Sequence, residues 1–304
     1  TQKLSLWSAY NLSNNAPDVR QLSPYLDVSD PINTIQGNPN LSPTNSHSLN
    51  MGVNNYDWET RSGLYSYFGF TFTNDQVVNL TTVDDNFVRA TTFTNVDGVY
   101  NGYGNLGYNK DFKLDSLRTL KVEVGMSGSI NRFVNFFNAD QYASITKSLG
   151  PSLGLRFTWT DWFEIRPEYR ISFNETTFNR DFFDGQDFTQ HNARLRTTTY
   201  FPKWLTWEND IRYTYNPNVG TGFQRDAVFW NTSLAYSFLN DKALATFKVY
   251  DLLNQNTNSR RTATQSYIED VQSTVLQQYF MLSFSYKFNT LGKKGEVREN
   301  GWWD

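Results

Sequence analysis

From Tyr279 to Phe288 the chain alternates without a break. Phe280, Leu282, Phe284, Tyr286 and Phe288 fall on one side, and Tyr279, Met281, Ser283, Ser285 and Lys287 on the other. A period of two residues is the mark of a strand with two unlike faces. The pattern recurs about a dozen times, each time with an aromatic-weighted apolar face. It predicts strands over Leu4–Leu12, Ser48–Tyr56, Leu64–Leu80, Arg89–Tyr108, Leu120–Phe133 and Ser144–Trp159. Further strands follow over Phe163–Phe173, Ala193–Phe201, Leu205–Tyr215, Val228–Phe238, Ala243–Tyr250 and Leu276–Phe288. No stretch has the periodicity of a helix that could cover the apolar faces. A sheet with one apolar and one polar face and no covering helices suits a transmembrane β-barrel, where lipid is the covering layer.

The polar face is charged. Glu164, Arg166, Glu168 and Arg170 alternate with Phe163, Ile165, Pro167, Tyr169 and Ile171, while Glu208, Asp210 and Arg212 alternate with Leu205, Trp207, Ile211 and Tyr213. Asn209 is the one polar exception on that apolar face. Arg194 and Arg196 continue the series, and Arg156 and Lys248 join it. These residues are expected to face the lumen and form ion-paired ladders between neighbouring strands. A soluble sandwich or propeller, such as an aromatic-rich carbohydrate-binding β-protein, is the competing reading. It accounts poorly for charged faces on so many consecutive strands.

Connections alternate in length. Short turns at Asp57–Ser62, Thr160–Trp162, Pro202–Lys203 and Leu239–Lys242 separate long polar loops at Ser13–Asn45, Asn174–Gln190, Asn216–Arg225 and Asn254–Ser273. In outer-membrane barrels short turns are periplasmic and long loops extracellular. Trp159, Trp162, Trp204 and Trp207 gather on the short-turn side, as an interfacial girdle should.

Composition narrows the classes. Aromatic residues make up 17% of the chain against a hydrophobic total of 38%, and no apolar run is long enough for a spanning helix. With no Cys there is neither a disulfide framework nor a Cys-ligated metal. A net charge of -3 argues against a nucleic-acid partner. Only His47 and His191 are present, far apart, and no G-x-S-x-G nucleophile motif occurs. The expectation is a protein that is not an enzyme, has no catalytic residues, and needs no cofactor or metal. A Ser-His lipid hydrolase is kept as the catalytic alternative. Asp84-Asp85 and Asp184-Gly185-Gln186-Asp187 read as loop turns rather than Ca²⁺ ligands, and Gly125–Ser129 as small packing residues mid-strand.

Two stretches carry a family resemblance. Gln21-Leu22-Ser23-Pro24-Tyr25-Leu26-Asp27-Val28-Ser29-Asp30-Pro31, followed by Gly37-Asn38-Pro39-Asn40-Leu41-Ser42-Pro43, resembles the GNPxLxPE segment of TonB-dependent outer-membrane transporters of the Bacteroidetes type. Thr44 stands where that pattern has an acidic residue. Lys248–Asn256, Arg260-Arg261, Tyr267–Asp270 and Tyr279–Phe288 resemble the penultimate strand, last loop and closing strand of the same family. The resemblance implies a bacterial outer-membrane receptor and transporter importing a siderophore, glycan or peptide. The part in hand would be the C-terminal half of a barrel of about 22 strands. Its partners would be outer-membrane lipid, a plug domain and further strands of the same protein that are absent from this chain, TonB through the missing region, and a surface lipoprotein lid. Residues 1–289 would then be barrel strands and loops, and 290–304 a periplasmic tail. A self-contained twelve-stranded channel is the alternative. Loop aromatics Tyr25, Phe178, Phe182, Phe183, Phe188, Phe223 and Tyr267 are the candidate ligand contacts, since their faces can stack on sugars, peptides or aromatic chelates.

Overall fold

The computed structural model describes residues 3–181, 183–255, 258–263, 268–273 and 277–288. The chain rises in β1 (Lys3–Asn15) and crosses a single helical turn, α1 (Val19–Leu22). A capping box closes that turn: Gln21 N donates to the Asp18 carboxylate at 2.8 Å and Asp18 N to Gln21 Oε1 at 2.9 Å. Short strands β2 (Leu26–Asp27) and β3 (Asn33–Gln36) follow, then β4 (Thr44–Asp57), β5 (Ser62–Asn74), β6 (Gln76–Val83), β7 (Arg89–Val96) and β8 (Val99–Lys113). The longest strands are β9 (Arg118–Phe137) and β10 (Asp140–Trp159), followed by β11 (Phe163–Phe178), β12 (Gln186–Thr199) and β13 (Leu205–Tyr215). The chain continues through β14 (Asp226–Phe238), β15 (Ala243–Tyr250), β16 (Asn258–Ala263), β17 (Ile268–Ser273) and β18 (Tyr279–Tyr286).

Twelve strands form one antiparallel sheet in the order β1-β4-β5-β8-β9-β10-β11-β12-β13-β14-β15-β18. Each corresponds to one of the twelve alternating segments of the sequence. Among the described residues the sheet is open: β1 pairs only with β4 and β18 only with β15. Its strands extend beyond the predicted ends on the long-loop side. The β1–β4 connection therefore shrinks to 16–43 and the β11–β12 loop to 179–185.

One expectation is corrected. The segments Leu64–Leu80 and Arg89–Tyr108 are not single strands. The first breaks at Asp75, which adopts a left-handed conformation (φ 53°), and the second at Asp97 and Gly98 (φ 75°). Asp75 N donates to Asp97 Oδ1 at 2.9 Å, and Asp75 O accepts from Asn95 Nδ2 at 2.7 Å, so the two breaks lock each other. Above them β6 and β7 leave the main sheet and join β2 and β3 in a four-stranded sheet, with β3 and β7 parallel. Val96, Val134 and Ala143, with Val78 and Phe136 against them, fill the junction with the upper end of β9.

The family-like segment Gly37–Pro43 lies in this junction. Asn38 N donates to Gln21 O and Asn38 Nδ2 to Phe93 O at 3.0 Å, while Asn95 accepts from Ser42 N at 2.9 Å and donates to Ser42 O at 3.0 Å. A methyl group at Gly37 would sit 2.5 Å from Ser23 O and 2.6 Å from Arg20 O, so only glycine fits under the helical turn.

The two faces of the main sheet separate as the alternation requires. Apolar side chains of one face stand open, Leu6 at 67%, Leu153 at 49% and Phe284 at 65% exposed. Soluble monomers rarely expose an apolar face of this extent, and in a barrel wall a hydrocarbon layer covers it. The Asn209 exception is satisfied within the face. Trp230 Nε1 donates to Asn209 Oδ1 at 3.1 Å, and Asn209 Nδ2 donates to Thr197 Oγ1 at 3.3 Å. Trp207 Nε1 likewise donates to Thr232 Oγ1, and Thr232 to the Glu208 carbonyl, both at 3.0 Å. On the short-turn side Trp162 stacks on Phe201 at 5.1 Å and on Trp159 at 5.4 Å, and Trp204 meets Tyr236 edge-on at 5.4 Å. On the long-loop side the outward Lys147–Glu175 ion pair, 2.9 Å, marks the upper limit of the apolar band.

Candidate functional site

The opposite face of β9–β15 carries the charges. Alternation on each strand and antiparallel register bring them level: Arg166 lies opposite Arg196, Glu168 opposite Arg194, and Arg196 opposite Asp210. Two cations level with each other need a carboxylate between them, and the sheet supplies one. Glu168 Oε1 is 2.7 Å from Arg166 Nε and 2.6 Å from Arg196 Nη2. Asp210 takes a two-pronged hydrogen bond from Arg194, 2.8 Å at each oxygen, and a further contact from Arg212 at 2.8 Å. Glu164 is 3.7 Å from Arg156 and accepts from Thr158 Oγ1 at 3.1 Å. Glu208 accepts from Ser233 Oγ at 3.0 Å.

The sequence reading missed Lys121 and Glu123, which enter the network at the β9 edge. Lys121 Nζ is 2.8 Å from Glu123, and Arg166 Nη2 reaches the same carboxylate at 3.8 Å. Both occupy the polar phase of Leu120–Phe133, so the alternation that defined the strand would have found them. Arg170 takes a different partner, donating to Ser127 Oγ at 2.5 Å across two strands. That contact lies within the small-residue segment Gly125–Ser129, where Gly150 and Gly154 on the next strand leave room for long side chains. A concavity of about 520 Å³ opens over this wall, lined among others by Arg166, Arg194, Arg196, Glu208, Asp210 and Lys248.

The loop aromatics divide. Phe178 and Phe183 pack with buried Tyr142 and with Phe137; Phe183 is 5.3 Å from both Phe178 and Tyr142 and 5.7 Å from Phe137. Tyr25 stands free at 83% exposure just before β2. Phe188 lies half-buried on β12 and Phe223 half-buried in the β13–β14 loop, where its amide donates to Gly220 O at 3.1 Å. Phe182 and Tyr267 lie outside the described residues, as does the tail from 289 onward. Both histidines sit on the apolar face, each bonded to a tyrosine hydroxyl: Tyr10–His47 and Tyr169–His191, both 2.7 Å. Asp84 closes the β6–β7 turn through Asn86 N at 2.9 Å and Val88 N at 2.8 Å.

An amphipathic antiparallel sheet with an aliphatic-aromatic outer band, an aromatic girdle at the short turns and an ion-paired inner face defines a transmembrane β-barrel wall. The chain belongs to the outer membrane protein beta-barrel family, whose sequence profile matches residues 1–143 and 136–286. A search of curated proteins found no match to the chain.

Proposed function

We propose that this chain supplies wall strands and extracellular loops of a TonB-dependent outer-membrane transporter that imports a nutrient, and that it performs no catalysis. The observation that carries the reading is the pair of open edges. In hydrocarbon an unpaired strand edge is not tolerated, so β1 and β18 need partners. Further strands between them, as the resemblance of Gly37–Pro43 and Tyr279–Phe288 implies, give a barrel wide enough to hold an inner domain. The charged wall then offers that domain a docking face. The non-catalytic part is supported by the two histidines, which face the lipid side and hold tyrosine hydroxyls rather than serines.

The chain contains no Cys, which makes cross-linking clean. Cysteine pairs placed in several registers along Leu4–Leu12 and Phe280–Tyr286 test the edges in the full-length protein in outer membranes. No disulfide in any register is expected. Efficient intramolecular β1–β18 cross-linking would mean a self-contained twelve-stranded barrel and would overturn the transporter reading. A second arm follows growth on limiting nutrients, where deletion of the gene and deletion of TonB should give the same defect.

A further inference from the structure

The lumen wall has a second half unlike the first. On β1, β4, β5 and β8 the inward positions hold Trp7, Tyr65, Tyr67 and Tyr103 among Asn50, Asn54, Asn101, Asn105 and Asn109. Among the described side chains, charge on these positions is confined to Asp111 and Lys113 at the short-turn end. Three of the rings, Trp7, Tyr103 and Tyr65, each cross a glycine of the neighbouring strand. A methyl group at Gly52 would sit 2.1 Å from Trp7 Nε1. One at Gly69 would sit 2.6 Å from Tyr103 Cζ, and one at Gly107 2.1 Å from Tyr65 Cζ. Glycine in a strand marks just such a close approach.

Each of these three rings is seated at its glycine and stays open on the lumen side. Trp7, Tyr65 and Tyr103 are 47%, 50% and 42% exposed. Trp7, Tyr67 and Tyr103 form a row, with ring centres 5.7 and 5.5 Å apart and successive planes tilted by 40° and 33°. The two tyrosine hydroxyls are tied in place: Tyr67 Oη donates to Asn50 Oδ1 at 3.0 Å and lies 3.0 Å from Tyr103 Oη; nearby on the same face Asn101 bonds Asn131. The result is a row of fixed, neutral stacking faces with amides and hydroxyls beside them.

We infer that this strip is a binding track for neutral oligosaccharides. A pyranose presents apolar C–H faces to a ring and hydroxyls at its rim, and the strip offers aromatic planes edged by neutral donors and acceptors. Among the described side chains an anionic chelate or acidic peptide finds no countercharge beside the row, whereas the β9–β15 wall would hold one. The proposal deepens the transport reading and rests on it for the direction of passage, but binding itself is measurable without transport.

The test uses the full-length protein purified in detergent, with folding verified by heat-modifiable gel migration. Neutral oligomers of glucose, mannose and xylose are titrated by calorimetry, beside an oligogalacturonate and a ferric catecholate. At least one neutral oligomer is expected to bind. Trp7→Leu and Tyr103→Leu should each weaken it at least tenfold, Tyr103→Phe far less, and Tyr236→Leu, on the lipid face, not at all. If no neutral oligomer binds the folded protein at millimolar concentration, the proposal is wrong. It is equally wrong if the Trp7 and Tyr103 variants bind like wild type, or if Tyr236→Leu loses as much. Absence of sugar binding together with uncross-linkable edges would leave the transporter reading standing and remove only the track. Sugar binding together with cross-linked edges would place the track in a self-contained channel.

Discussion

Replacing Leu234 by Arg puts the face assignment at risk. Leu234 stands on the outward side of β14, level with Trp207 on one neighbour and Phe247 on the other, and is 43% exposed. If that exposure is to hydrocarbon, a guanidinium there costs about 2–4 kcal/mol near the midplane. That is a shift of roughly 30- to 900-fold in the ratio of folded to unfolded protein. The control is the next residue. Ala235 points to the lumen between Thr206 and Thr246, neither charged, so Ala235→Arg should cost about 0.5 kcal/mol or less, as at a wet surface. Ser233 is a poorer control. It is buried, its hydroxyl serves Glu208 at 3.0 Å, and its cross-strand neighbour is Lys248. Both variants share one strand, one turn and one expression context, and differences in β-propensity span no more than about 1 kcal/mol, less than the cost expected at Leu234. Urea titration of the protein folded into vesicles, read by heat-modifiable migration, gives the difference. Equal losses, or a larger loss at Ala235, would refute the membrane orientation of the sheet.

Three further outcomes follow from the structure. Gly37→Ala drives a methyl group into the backbone of Arg20 and Ser23, and should open the 16–43 connection to trypsin at Arg20 while the barrel stays folded; unchanged cleavage would count against the bracing role of Gly37–Pro43. Asp210→Asn strips the shared carboxylate from Arg194 and Arg212 and should cost about 1–3 kcal/mol in urea titration, with Arg194→Gln in the same chain adding less than its separate cost; additive losses would show the pair uncoupled. Asp115, in the turn between β8 and β9, has its carboxyl held below the ordinary 3.8, chiefly by the Arg118 side chain at 2.6 Å and then by the Leu117 amide. A depressed carboxylate stabilises the fold fully above its ordinary range and loses that contribution as pH falls through the lowered value, so Asp115→Asn should flatten the acid limb of a stability–pH profile below pH 4; identical profiles would refute it.

The period-two alternation determined the twelve wall strands, their faces and their antiparallel order, because each strand in a barrel carries its own record of lipid on one side and water on the other. Ala243–Tyr250 and Leu205–Tyr215 needed no correction, and the charged positions from Arg156 to Lys248 share one face of the sheet. What the alternation could not carry is anything set by contact across the sheet. The breaks at Asp75 and Asp97 interrupt segments that are apolar and β-rich on both sides; they exist because two distant aspartates and Asn95 bond one another. Only register revealed that Glu168 sits between two arginines, or that Phe178 and Phe183 pack on Tyr142 while Tyr25 does not. Glycines such as Gly52, Gly69 and Gly107 read in sequence as weak strand formers. The neighbouring strand turns them into seats for Trp7, Tyr103 and Tyr65, because a missing side chain has meaning only once the ring that fills its place is known.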